Sequence, residues 1–399
     1  MSFAFAVLRR LWYTCCMKIF KSMFAGLACA FVFALAGCRH TDDAGLALDR
    51  SGGALAQPNR TDPIGVFDSG IGGMTVLEKM LAMDLYDNTT HERRSDGKPD
   101  LGHERFVYFG DQANMPYGDY AAAGKSEYLK YLILKDAEFL LSNKVKSVVI
   151  ACNTATAWGL EEVRRKTAAV GADTVGVIGA GVSSALSLPA VRNAEGAVSI
   201  GVMATPGTIA SGAYERAIAE EAKRLGIKAK VNVVAQGCAG LADAVEAGDA
   251  KAGDIAVENY RALLARHAAQ KDAGALEAVI LGCTHYPFVL GSLKKEAPDM
   301  DFVDPALATA EACYLRLRER KMLSDAGSMS LKAYISVPSP HLDRRHLDGS
   351  GNLTRELKYG RDPGESAVWT VVKPYGGEQA KANKFIRQHL DAVGKALCD

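Results

Sequence analysis

The sequence predicts an α/β protein with two similar lobes, each a mostly parallel sheet flanked by helices. Short apolar runs alternate with longer segments of helical spacing, which is the pattern of parallel sheets. Two strand ends also recur along the chain: residues 64–70 are echoed by 200–207, and 148–154 by 278–285. The repetition predicts two pseudo-symmetric lobes with the active site between them and a small α+β addition at the C-terminus.

Composition excludes several classes of protein before any motif is considered. The 47 Lys and Arg balance 46 Asp and Glu, which argues against a nucleic-acid partner because polyanion binders usually carry a basic excess. The chain is 48% hydrophobic and 23% charged, so it can bury a sizeable core. Its length of 399 residues predicts two or three domains.

Residues 1–37 resemble a lipoprotein-type signal peptide. A basic start at Met17 is followed by an uncharged apolar run over 23–35, shorter than the roughly 20 residues of a membrane span. The run ends at Cys38 in a sequence similar to the bacterial lipobox, which predicts lipidation of Cys38 and an exported protein anchored in the periplasm or cell envelope. Open alternatives are an uncleaved anchor, a start at Met1, or a cytoplasmic protein with a non-functional leader.

The remaining elements follow in a regular order. Residues 38–62 are predicted to be a solvated linker, and the charged segment 86–104 a surface insertion. Helices are predicted at 75–83, 126–141 and 214–225, and strands at 64–67, 106–109, 145–151, 174–178, 198–203, 231–235 and 278–281. These elements predict one lobe at 63–176, completed by about 286–325, and a second lobe at 177–285.

The C-terminal extension, residues 328–399, is predicted to be a small α+β layer. Strands are expected at 333–337, 356–359 and 368–372, and an amphipathic helix at 379–397. We expect this layer to pack on the outside of the first lobe, away from the cleft between the lobes.

Two cysteines occupy the positions where parallel sheets bind ligands. Cys152 and Cys283 each follow a predicted strand, and ligands of such sheets lie beyond the carboxyl ends of the strands. Pseudo-twofold symmetry would aim both thiols at one cleft from opposite sides, although each could instead be a buried small hydrophobe. Two opposed monoprotic groups suit the inversion of a stereocentre, because one removes a proton and the other delivers one.

Neither a cofactor nor a metal is expected. The turn at 70–73 lacks the third glycine of a dinucleotide fingerprint, because Thr75 stands there, and the sequence contains no phosphate loop. The cysteines are widely spaced, with no Cys-x-x-Cys pair, and Cys238 is interpreted as structural. Since two bases flanking a substrate must stand farther apart than the roughly 7 Å that a disulfide allows, Cys152 and Cys283 should be unbridged.

The chain from about 64 to 317 resembles the cofactor-independent glutamate racemases of the aspartate/glutamate racemase superfamily. Five motifs carry the resemblance in family order, namely residues 64–73, 116–118, 152–154, 205–208 and 282–287. The resemblance implies an isomerase that interconverts L- and D-glutamate, a precursor of peptidoglycan in the cell wall. The resemblance is also compatible with a homodimer.

The resemblance further implies roles for individual residues. The equivalents of Cys152 and Cys283 are the two acid/base groups, and those of Asp68 and His285 assist them. Substrate-binding positions are Ser69, Pro116, Tyr117, Gly118, Asn153, Thr154, Thr205, Thr208 and Thr284. Independently of the family, Asp68 could simply cap the following helix, and His285 could be a packed loop residue.

Two departures from the family pattern, and three alternative functions, stay open at this point. An acidic residue is expected in the segment matching 176–181 and is absent, and Ala239 stands where a proline is usual. The same cysteines could act on aspartate or another acidic substrate, or the fold could serve as a non-catalytic ligand-binding lipoprotein. A thiol hydrolase using His285 would leave one cysteine idle.

Overall fold

A computed structural model describes residues 57–364 and 368–398. The predicted signal peptide, Cys38 and most of the linker therefore lie outside the described residues. Within those two ranges, no helix combines the length and the apolar character that crossing a membrane would require.

The first sheet has six strands in the order β10-β9-β2-β1-β3-β4. All neighbours are parallel except β10, which runs antiparallel to β9. The strands are β1 (Ile64–Asp68), β2 (Arg105–Gly110), β3 (Ser147–Ile150), β4 (Asp173–Gly176), β9 (Ser330–Pro338) and β10 (Thr370–Tyr375). The side chains of β1 and β3 are buried throughout, as expected for central strands covered by helices on both faces.

The second sheet has four parallel strands in the order β6-β5-β7-β8. They are β5 (Ala197–Ala204), β6 (Lys230–Gly237), β7 (Ala275–Gly282) and β8 (Asp301–Val303). Since β8 pairs with β7, the chain leaves the second sheet only after Val303.

Helices cover both sheets. In chain order they are α1 (Met74–Ala82), α2 (Gly118–Ala122), α3 (Ser126–Ser142), α4 (Asn153–Ala168), α5 (Val177–Leu186), α6 (Pro189–Arg192), α7 (Pro206–Ala210), α8 (Ala213–Leu225), α9 (Leu241–Glu246), α10 (Ala252–Ala268), α11 (Leu290–Glu296) and α12 (Pro305–Glu319). Short 3₁₀ turns lie at Gln112–Asn114, Tyr286–Val289 and Arg344–His346. Apolar residues recur at helical spacing in α1, where Met74, Leu77 and Leu81 are buried against the first sheet.

Three element predictions differ from the structure, two of them in the tail. The strand predicted at 174–178 ends at Gly176, where α5 begins. Residues predicted as a strand at 356–359 form the helix α13 (Arg355–Gly360), because the Thr354 hydroxyl accepts a hydrogen bond from the Leu357 amide and caps it.

The single helix predicted at 379–397 is instead three short helices: α14 (Glu378–Ala382), α15 (Lys384–His389) and α16 (Asp391–Cys398). The chain is extended at Asn383, which ends α14. Val393 and Leu390 are buried in the core beside α1, and the Glu78 carboxylate accepts hydrogen bonds from the amides of Ala392 and Val393. The tail therefore packs on the first lobe.

The tail lies closer to the cleft than predicted, although none of its described residues lines the pocket. Because β9 pairs with β2, the tail is an integral part of the first sheet. Its Lys358 ammonium donates to the carbonyl of Met115, which lines the pocket between the lobes.

Candidate active site

A small pocket lies at the carboxyl ends of the strands, between the two sheets. Of the predicted catalytic and substrate-binding residues, all but Asp68 and Thr208 line it. The lining residues are Ser69, Met115, Pro116, Tyr117, Gly118, Cys152, Asn153, Thr154, Thr205, Ala242, Gly282, Cys283, Thr284 and His285.

Cys152 lies where β3 ends and α4 begins, and it caps that helix. Its Sγ accepts a hydrogen bond from the Ala155 amide at 3.4 Å and lies 3.8 Å from the Ser69 hydroxyl, to which the thiol donates. Burial, reinforced by the nearby charge of Asp68, raises the pKa of the Cys152 thiol above its usual range. This environment favours the neutral thiol over the thiolate at Cys152.

Asp68 ends β1 and lies directly behind the pocket. Its Oδ2 accepts hydrogen bonds from the amides of Gly70 at 3.2 Å and Gly73 at 3.0 Å, so the carboxylate does hold the turn before α1. Its Oδ1 is buried and has no hydrogen-bond partner among the described residues. Burial raises the pKa of Asp68, although His285 and the two amides oppose the shift.

His285 connects the second cysteine to a carboxylate. Its Nδ1 lies 3.6 Å from the Cys283 Sγ, and its Nε2 lies 2.6 Å from Glu246 Oε2. Burial lowers the pKa of His285, but the contacts with Cys283 and Glu246 outweigh burial and raise the pKa well above its usual value. These contacts favour the cationic imidazole, and the side chain lines the pocket.

Glu246 is a charged neighbour of the pocket that the sequence motifs did not indicate. It ends α9, the short helix after β6, and supplies the acidic support that was expected near 176–181. It lies at the far end of a helix, nine residues after β6 ends, so it lacks the strand-end position that marks the two cysteines. Gln112 fixes the other carboxylate oxygen, with Nε2 3.1 Å from Glu246 Oε1.

Hydroxyl and amide groups make up much of the remaining wall. Thr154, Thr205 and Thr208 form a triangle of hydroxyl contacts of 2.9–3.1 Å. Thr208 lies behind the two threonines that face the pocket, so it orients them. Asn153 accepts a hydrogen bond from the Tyr214 hydroxyl at 2.7 Å, which leaves its amide N–H groups free to face the pocket.

Tyr117 lines the pocket, but its hydroxyl is not directed at a ligand there. The hydroxyl lies 2.6 Å from both Asp111 and Asp136 in the protein interior, so it is engaged away from the pocket. The next residue, Gly118, lies against the second lobe, where an added Cβ would come within 2.7 Å of Thr205. Only glycine permits this close approach of the two lobes.

The described residues include three cysteines besides Cys152 and Cys283. Cys152, Cys238, Cys283, Cys313 and Cys398 are all free in the structure. Burial raises the pKa of Cys238 to about 12, and its side chain packs in a hydrophobic cluster against the second sheet, in agreement with a structural role.

Comparison with known proteins shows that the chain is similar to amino-acid racemases. The model of the Asp/Glu/hydantoin racemase family matches residues 100–313. Glutamate racemase of Aquifex pyrophilus is 33% identical over 279 residues, covering 70% of this chain and 90% of that protein. A glutamate racemase isoform from Bacillus anthracis aligns with a TM-score of 0.54 at 28% identity, over 69% of this chain and 88% of its own.

Glutamate racemase from Francisella tularensis, solved in complex with D-glutamate, aligns with a TM-score of 0.52 at 28% identity, over 76% of this chain and 95% of its own. Fold, site and sequence thus define an isomerase with an α/β architecture, as predicted. The chain belongs to the Asp/Glu/hydantoin racemase family.

Proposed function

We propose that this enzyme interconverts L- and D-glutamate, with Cys152 and Cys283 as the two acid/base groups. One observation carries the proposal: two free cysteines, one from each lobe, line the same small pocket, and each has its own polar support. Asp68 and Ser69 lie beside Cys152, whereas His285 lies beside Cys283. Inversion at an α-carbon needs one proton acceptor and one proton donor on opposite faces, which these two groups supply.

The two sulfurs take complementary roles in each direction. Where the α-hydrogen faces Cys283, the Cys283 thiolate removes it, and the Cys152 thiol delivers its own proton to the opposite face. The cationic imidazole of His285, 3.6 Å from the Cys283 Sγ, can donate a hydrogen bond to a sulfur anion formed there. For the other enantiomer the roles exchange, so the cycle consumes no proton overall.

Substrate recognition rests on neutral donors and one carboxylate. Lysine and arginine are absent from the residues that line the pocket, so hydroxyl and amide groups of Asn153, Thr154, Thr205 and Thr284 receive the substrate carboxylates. The unpartnered Oδ1 of Asp68 is a suitable acceptor for the substrate ammonium. Glutamate is favoured over other acidic substrates by the glutamate racemases that align over most of this chain.

A kinetic panel tests the proposal. Purified protein without residues 1–37 should convert each enantiomer of glutamate into the other, followed by circular dichroism, without added cofactor. Aspartate enantiomers measured in parallel separate the glutamate proposal from another acidic substrate. Turnover of aspartate alone would refute the choice of glutamate, and ligand binding without turnover of any amino acid would refute catalysis.

We also propose that the mature protein is a lipoprotein anchored through Cys38. The basic start, the apolar run and the Leu35-Ala36-Gly37-Cys38 sequence support this localisation. Mass spectrometry of the mature N-terminus should find a lipid on Cys38, and an unprocessed N-terminus would contradict the proposal.

A further inference from the structure

The wall of the pocket includes a loop that is held from behind by the tail of the chain. Residues 111–118, here called the pocket loop, contribute Met115, Pro116, Tyr117 and Gly118 to the lining. These residues lie at the end of β2, whereas the groups that hold them come from more than 200 positions later in the chain.

Three tail residues bind the pocket loop directly. The Ser336 hydroxyl donates to Asp111 Oδ1 at 2.6 Å and accepts from the Ala113 amide at 3.0 Å. Lys358 Nζ donates to the Met115 carbonyl at 2.7 Å. Arg361 Nη2 donates to Asn114 Oδ1 at 2.6 Å. Together these contacts fix both the start and the middle of the loop.

Arg361 is the buried centre of this support, with only 2% of its surface exposed. Its guanidinium carbon lies 5.0 Å from the ring centroid of Tyr128, and Nη2 also donates to the Tyr120 hydroxyl at 3.3 Å. A charge this deeply buried is costly unless it is compensated. Its compensation comes from the loop, where Asn114 in turn donates to both oxygens of Asp111.

The hydrogen bonds behind the loop indicate which of two carboxyls, Asp111 or Asp136, better stabilises a negative charge. One tyrosine hydroxyl hydrogen can serve only one of the two carboxyls that lie 2.6 Å from Tyr117. Asp111 also accepts hydrogen bonds from Ser336 and Asn114, so the charged form is better stabilised at Asp111 than at Asp136. The Arg361 guanidinium therefore faces, through Asn114, the better-stabilised carboxylate of the two.

We propose that Arg361 is a positioning residue for racemisation, which holds the pocket loop through Asn114 so that residues 115–118 present a fixed wall to the substrate. The expected effect on KM rests on the proposed function, but the expected effect on the order of the pocket loop does not. Arg361 does not line the catalytic pocket, so it acts only through the loop.

Hydrogen exchange and kinetics of substituted proteins test the role. In Arg361→Ala, backbone amides of residues 111–123 should exchange faster than in the wild type, while those of α10 are unchanged. KM for glutamate should rise about tenfold or more, and kcat should change much less, because a displaced wall weakens ground-state and transition-state binding alike. Arg361→Lys keeps a cationic donor and should show a smaller increase in KM. Arg345→Ala, which removes a largely exposed arginine of the same tail, is the control and should match the wild type.

Each outcome decides the proposal. Unchanged exchange at 111–123 and unchanged KM in folded Arg361→Ala would overturn it. If that variant does not fold, Arg361→Lys and Lys358→Met replace it, and wild-type exchange and KM in both would overturn the proposal. If the wild type racemises no glutamate, the proposed function fails, and the exchange measurement alone still decides whether Arg361 positions the loop.

Discussion

Replacement of Glu246 by Gln removes the charged partner of His285 and keeps the size of the side chain. Glu246 Oε2 lies 2.6 Å from His285 Nε2, and both side chains are largely withdrawn from solvent. A hydrogen bond to a charged group is worth about 1.5–3 kcal/mol, which corresponds to roughly 10- to 150-fold in rate if it is lost in the transition state. We expect kcat/KM to fall within that range in Glu246→Gln.

The fall should be equal in both directions. Two enantiomers have the same free energy, so a substitution on the Cys283 side cannot change their equilibrium and must lower kcat/KM for each by the same factor. Initial rates by circular dichroism, with each glutamate enantiomer as substrate, measure this.

The control for this substitution is Glu161→Gln, which alters an exposed ion pair with Arg164 and should leave kcat/KM unchanged. Thermal melts of both variants separate lost catalysis from lost folding. Wild-type kcat/KM in folded Glu246→Gln would refute the assignment of Glu246 as the support of His285.

Three further outcomes are expected. Cys152→Ser and Cys283→Ser should each abolish racemisation, because a serine hydroxyl is a far weaker acid than a thiol, and residual turnover near the wild-type rate in either would contradict this. Lys146→Met should lower the free energy of unfolding in urea by about 3–5 kcal/mol, because it leaves the buried Glu104 without its cation, and a loss below about 1 kcal/mol would show that the pair is not stabilising. Because the folded-state pKa of His285 is raised, its stabilising contribution is complete below the ordinary histidine pKa of about 6.5 and is lost as pH rises through the folded-state value. The difference in unfolding free energy between the wild type and Glu246→Gln should therefore narrow at alkaline pH.

The cysteines could be placed from the sequence because the carboxyl ends of parallel strands meet at one edge of a sheet. Cys152 and Cys283 each end such a strand, and both line the pocket. Glu246 could not be placed in the same way, since it lies 39 residues before His285 and its role depends on how α9 packs.

The tail also has features that sequence spacing alone could not predict. A four-residue stretch such as 356–359 fits helical and strand spacing equally well, and the Thr354 cap decides the outcome. Pairing between β2 and β9 joins residues more than 200 positions apart, so periodicity within the tail could not reveal that it reaches the pocket loop.

Deuterium incorporation at the α-carbon tests the two-cysteine mechanism most directly. Each glutamate enantiomer is incubated with wild-type protein in deuterated water, and both enantiomers are analysed by mass spectrometry early in the reaction. If one thiol removes the proton and the other delivers a solvent-derived one, newly formed product carries deuterium while unreacted substrate keeps its hydrogen. Deuterium appearing equally in substrate and product, or product formed without deuterium, would contradict the opposed action of Cys152 and Cys283.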